Sequence, residues 1–178
     1  MGGRLLDLGT YMQTAAHTEL AVWQTTMLAE GIDPHSPVDY RGYVNIKLRT
    51  AELLRRFRGS AASCPAWLAD RIQEVADEVE RGLETRNLAA HGAFFLDDPG
   101  KGTLGAAHYF ARGQGRDREL FEIKQAVTRQ QVEDAIRAGN QLLHSVIALR
   151  QAIQDWRYPN GTPDPSPLPT CEDQRDTQ

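Results

Sequence analysis

Arg86, Asn87 and His91 are the residues of this 178-residue chain whose types and spacing could do chemistry. A guanidinium carries a permanent charge and a planar fork of donors, which suits the oxygens of a phosphate. An imidazole, with an ordinary pKa of about 6.5, can take or give a proton near neutral pH. Asn87 lies beside Arg86 and one helical turn before His91, where it could orient the imidazole or hold a substrate. Together they could move protons while stabilising negative charge on phosphoryl oxygens, and neither task requires a metal. Plainer roles stand beside these. Arg86 could pair with Glu80, Glu84 or a carboxylate of another helix, His91 could cap the last helical carbonyls, and Asn87 could be a hydrogen bonder at a helix end.

The element that must position them is an amphipathic helix. Leu68, Ile72, Val75, Val79 and Leu83 recur at three- and four-residue steps, and Arg86 falls near the middle of the same stripe. A charge left unpaired in a buried stripe costs several kcal/mol at least, so Arg86 requires a partner or a wet interface.

The hexapeptide Arg86-Asn87-Leu88-Ala89-Ala90-His91 resembles the R-x4–6-H signature of the HEPN superfamily. The resemblance covers this hexapeptide and the general helical plan. It implies a mainly α fold, a HEPN-like four-helix bundle, and a metal-independent endoribonuclease acting as a toxin or in phage defence. In that chemistry the ribose 2′-OH attacks its own phosphate and leaves a cyclic phosphate and a 5′-OH. Arg86 and His91 would be catalytic with Asn87 assisting, RNA would be the partner, and no cofactor or metal would be needed. Five residues separate Arg86 from His91, roughly 140° around a straight helix, so one chain presents them awkwardly. A homodimer, which the resemblance implies, would let both copies line one cleft, because a two-fold interface repeats each residue across the axis. HEPN toxins paired with a nucleotidyltransferase antitoxin commonly carry a Tyr two residues after the His, where this chain has Ala93. That mode of neutralisation does not carry over, and the antitoxin stays unknown. The rival reading is a noncatalytic HEPN-like dimerisation or partner-binding module.

A second basic feature precedes the stripe. Between Arg41 and Arg58 there are six basic residues against the single acid Glu52, and Arg41, Arg49 and Arg56 share about a quarter-turn of a helical wheel. They could track phosphates, or form a solvated face in a chain with 17 Arg and 3 Lys. Lys47 projects toward the apolar arc of Tyr43, Val44, Ala51 and Leu54, so it must snorkel or reach an interior polar site. Lys47 and Arg49 are the candidate substrate-binding residues. Arg137 and His144 match the motif's loose spacing but lack the adjacent Asn, and read as helix surface or packing.

Composition fits one ordinary globular domain, residues 1–158, followed by a flexible Pro-rich tail over 159–178. The net charge of −4 argues against indiscriminate polyanion binding. Cys64 and Cys171 show neither a disulfide framework nor zinc spacing, and His17, His35 and His108 show no metal-ligand spacing. No membrane-spanning run or signal-peptide core is evident, so a cytoplasmic protein without a membrane partner is expected.

Four helices are expected. The first runs from about Gly3 to Glu30, with Leu5, Leu8, Met12, Ala16, Leu20, Trp23 and Met27 inward and Gly31 as its stop. The second is capped at Ser36-Pro37 and ends near Arg58; the third starts at Pro65 and runs into the motif, where Gly92 would close it in a left-handed conformation. A small antiparallel β meander, about 92–124, comprises runs at 93–96, 106–111 and 119–123. Thr128-Arg129-Gln130-Gln131 then matches a capping box opening a fourth helix with Val132, Ile136, Leu142, Leu143, Val146, Leu149, Ile153 and Trp156 inward. Pro99 to Thr103 lacks the glycine spacing of a phosphate loop and reads as a turn.

Overall fold

The computed structural model describes residues 2–32, 50–98, 103–112 and 119–161. The chain is mainly helical with a small antiparallel sheet. In order it forms α1 (Gly2–Glu30), α2 (Thr50–Ser60), a 3-10 turn (Ala61–Ser63), α3 (Ala66–His91), β1 (Ala93–Asp98), β2 (Thr103–Arg112), β3 (Glu119–Val127) and α4 (Arg129–Arg157). Among the described residues no helix is long and apolar enough to cross a membrane. Two compact units divide the chain, one of Met1–His17 with Val79–Leu143 and one of Thr18–Glu78 with His144–Gln178.

In the unit of Thr18–Glu78 and His144–Gln178, Val22, Met27, Phe57, Leu68, Ile72, Val146, Leu149 and Ile153 are fully buried. Here α1 corrects its expected inner face. Thr18, Thr25 and Thr26 are buried, while Leu20 is half exposed and Ala16 lies outside. Threonine can face inward because its hydroxyl returns a hydrogen bond to the preceding turn: Thr25 Oγ1 donates to the Ala21 carbonyl at 2.7 Å and Thr26 Oγ1 to that of Val22 at 2.8 Å. A stripe traced through apolar residues alone is therefore rotated away from the true face.

Gly31 stops α1 as expected, at φ +78°. Its N–H donates to the Leu28 carbonyl at 3.1 Å and that of Ile32 to Met27 at 2.9 Å, the paired bonds of a Schellman ending. Arg157 also donates to the Ala29 carbonyl and lies against Gly31, placing a cation at the helix's negative end. Trp156, expected inward, is 38% exposed and carries that guanidinium 4.9 Å above its ring. At the start of α3 the Pro65 carbonyl accepts from Leu68 and Ala69 at 2.9 and 3.0 Å, so the missing proline N–H costs nothing there.

In the unit of Met1–His17 and Val79–Leu143 the sheet runs in the order β1-β2-β3. β2 and β3 extend beyond the aromatic runs that announced them, because ladder pairing depends on backbone and continues through Gly105 and Ala126. Phe95 stands opposite Gly105, and a side chain at that glycine would strike the Phe95 ring. Gly92 departs from expectation. It does not take the left-handed conformation, yet a Cβ there would collide with the Leu88 carbonyl oxygen, which instead accepts the Gly92 N–H at 2.8 Å. Close approach, rather than backbone handedness, explains the glycine.

The capping box of α4 forms as the sequence predicts. Gln131 N–H donates to Thr128 Oγ1 at 3.2 Å, and the Thr128 N–H donates to Gln131 Oε1 at 2.8 Å. Thr128→Ala is expected to cost about 1 kcal/mol, read as a fall in Tm of roughly 2–4 °C. An unchanged Tm would show that this cap contributes nothing to stability.

Candidate functional site

The last two turns of α3 carry the three residues singled out by the motif. Leu88 is buried and anchors them, Arg86 and Asn87 are half-buried, and His91 is exposed. Arg86 Nη1 donates to Asn87 Oδ1 at 3.1 Å, so the structure brings these two side chains together. His91 takes its ring contact from another element: His108 of β2 stacks on it with centroids 6.1 Å apart and planes inclined by 28°. The stacked imidazoles follow from the turn after α3 and from strand pairing. Gly92 lets the chain turn tightly off α3, and the β1–β2 register then places Ala93 opposite Ala107, the residue next to His108.

Tyr11 of α1 is the second neighbour that the motif did not announce. It is 8% exposed, close enough to feel the Arg86 charge, and packs with Thr14 against Gly139 of α4 at 3.5–3.6 Å from where a Cβ would stand. Thr14 Oγ1 meets Asn140 Oδ1 at 3.2 Å. Burial pushes the Tyr11 phenol above its usual range, and the nearby guanidinium of Arg86 pulls it back in part.

A phenol whose folded-state pKa is raised contributes stability in full below its unfolded value of about 10, and loses it as pH climbs through the folded value. Thermal stability should therefore fall above about pH 10, and Tyr11→Phe should reduce that alkaline loss. Tyr109→Phe serves as the control. The Tyr109 hydroxyl donates to Glu122 at 2.6 Å, which raises its pKa, but the group is exposed and should contribute less. Equal alkaline sensitivity in wild type and Tyr11→Phe would refute the assignment.

Lys47 and Arg49, with Arg41, lie outside the described residues, as do the Ser36 cap and residues 99–102. The described part of the basic segment is engaged with carboxylates. Arg55 pairs with Glu52, Arg56 binds Glu30 through two bonds of 2.9 and 2.8 Å, and Arg58 reaches Asp77 at 2.6 Å. Glu30 and Asp77 are remote in sequence, so the local excess of positive charge overstated what α2 presents to an anion. Arg137 pairs with Asp134 at 2.8 Å on the surface of α4, and His144 is exposed, matching the surface reading of that pair.

Burial raises the half-buried Cys64 thiol above its usual range, with Arg157 opposing, so this thiol is poorly prepared for nucleophilic chemistry. Among the described residues no group of three or more His, Cys, Asp or Glu side chains is placed to hold a metal ion. The chemical content of the site is thus one guanidinium held by an amide, a buried phenol beside it, and two adjacent imidazoles. His108 and Tyr11 were invisible to a motif reading, because neither shares a local spacing with Arg86-Asn87. The alternation of β2 and the helical step from Leu8 to Tyr11 to Thr14 are the signals that could have suggested them. No protein-family model, curated protein or solved structure matches this chain.

Proposed function

We propose that this chain is a metal-independent endoribonuclease with a HEPN-like four-helix bundle, acting as a cytoplasmic homodimer in a toxin or phage-defence role. Arg86 and His91 act on the RNA, Asn87 holds the guanidinium, and Lys47 and Arg49 contact the phosphate backbone. The observation that supports this reading is the end of α3, where a guanidinium oriented by Asn87 precedes a solvent-exposed imidazole by little more than one turn. Fixed charge stabilises the phosphoryl oxygens as the 2′-oxygen attacks, and the imidazole moves a proton.

The test uses the purified protein, EDTA, an RNA oligonucleotide and its all-deoxy counterpart. The RNA should be cut to cyclic-phosphate ends while the deoxy strand, lacking the 2′-OH nucleophile, stays intact. Cutting of the deoxy strand, or cutting that depends on added metal, would overturn the proposal.

A second reading, the noncatalytic dimerisation or partner-binding module, draws support from the sheet. Leu120, Tyr109 and Phe121 are exposed to 75%, 58% and 37%. Growth inhibition on expression, relieved by Arg86→Ala or His91→Ala, favours the nuclease; a harmless wild type favours the module.

A further inference from the structure

We propose that His108 is a second catalytic residue of this site, sharing with His91 the two proton transfers of RNA cleavage. This rests on the ribonuclease reading above. Cleavage forms a bond from the 2′-oxygen to phosphorus and breaks the bond from phosphorus to the 5′-oxygen. One proton must leave the 2′-OH, and one must arrive on the departing 5′-oxygen. In an in-line displacement these oxygens lie on opposite sides of the phosphorus, so a single ring is poorly placed to serve both in one step.

The structure supplies two rings. His91 ends α3 and His108 sits on β2, the central strand of the sheet, with imidazole centroids 6.1 Å apart. A proton-transfer group works within about 2.6–3.2 Å of the oxygen it serves, and two imidazoles this close together can each reach an oxygen of one phosphodiester. One imidazole accepts the 2′-OH proton and becomes imidazolium, while the other, starting as imidazolium, gives its proton to the 5′-oxygen and becomes neutral. The pair ends with its protons exchanged and is reset through solvent, and no further reactant is consumed.

His108 is held more firmly than a loop residue would be. Its neighbours Ala106 and Ala107 are buried, and β2 is paired on both sides. His91, on an exposed helix end, meets it from across the Gly92 turn. Arg86, whose guanidinium is held by Asn87, supplies the fixed positive charge for the phosphoryl oxygens.

The experiment compares wild type, His91→Ala, His108→Ala and His108→Gln on two RNAs. One is ordinary, and the other carries sulfur in place of the bridging 5′-oxygen at the bond wild type cuts. A thiolate leaves without protonation, so the sulfur substrate bypasses the acid but not the base. The His91 and His108 variants should each cleave ordinary RNA about 10²–10⁴-fold more slowly. On the sulfur substrate one of the two positions, the acid, should recover to within about tenfold of wild type while the other stays slow. A misfolded variant cannot produce such a substrate-selective recovery. If both His108 variants cleave ordinary RNA at the wild-type rate, or neither position recovers on the sulfur substrate, the two-imidazole assignment is refuted while the ribonuclease reading stands. A wild type that cuts neither RNA overturns both.

Discussion

His91→Ala is expected to slow RNA cleavage in EDTA by about 10²–10⁴-fold, the range associated with loss of one proton-transfer group. The fold should survive. His91 is exposed at the end of α3, and surface substitutions of this kind usually change stability by no more than about 0.5 kcal/mol. Circular dichroism and Tm would therefore match wild type, and the lost rate would report chemistry. Arg86→Ala should slow the reaction too, but it also removes the bond to Asn87 and the charge beside Tyr11, so its effect mixes chemistry with packing.

The proposed dimer sharpens this expectation. If the shared cleft pairs Arg86 of each protomer with His91 of its partner, an Arg86→Ala protein and a His91→Ala protein, each inactive, should regain activity when mixed and reassociated. Random reassociation makes half the dimers mixed, each keeping one of the cleft's two Arg86–His91 pairs intact, or roughly a quarter of wild-type activity. No recovery, with exchange of protomers demonstrated, would reject a cleft shared between subunits.

Phe57→Ala is expected to produce the largest loss of stability, about 3–5 kcal/mol, the usual cost of emptying a buried aromatic site. Phe57 is fully buried on the short helix α2, within the same unit as Leu68, Ile72, Leu149 and Ile153. Truncation removes its transfer free energy and leaves a cavity that packed neighbours can only partly fill. For a chain of this size the loss corresponds to a Tm lower by roughly 6–20 °C. A fall of less than about 2 °C would mean that the site collapses around alanine.

Phe57 also shows where the sequence was hard to read. Residues 50–60 are rich in arginine and read as a cationic face, yet two of the arginines of α2 lie over carboxylates of α1 and α3 while Phe57 points inward. Charge counted along a segment misses partners supplied from elsewhere. The helical stripe of α3, the Gly31 stop and the Thr128 capping box were legible because each depends on residues within a turn of one another. The inner face of α1 was not, since threonine reads as polar in sequence but buries well once its hydroxyl returns to its own helix.

The candidate site divides in the same way. Arg86, Asn87 and His91 share one helix end because they lie within one hexapeptide at the close of α3, and the small antiparallel sheet after them was visible as short aromatic runs between glycines. Sequence by itself therefore determined the element types, their order, and the presence of a guanidinium and an imidazole at the close of α3. Tertiary structure decided which groups join them. Strand register sets His108 against His91, and the packing of α1 brings Tyr11 within reach of the Arg86 charge. Both depend on contacts between residues far apart along the chain, and local periodicity carries no information about those.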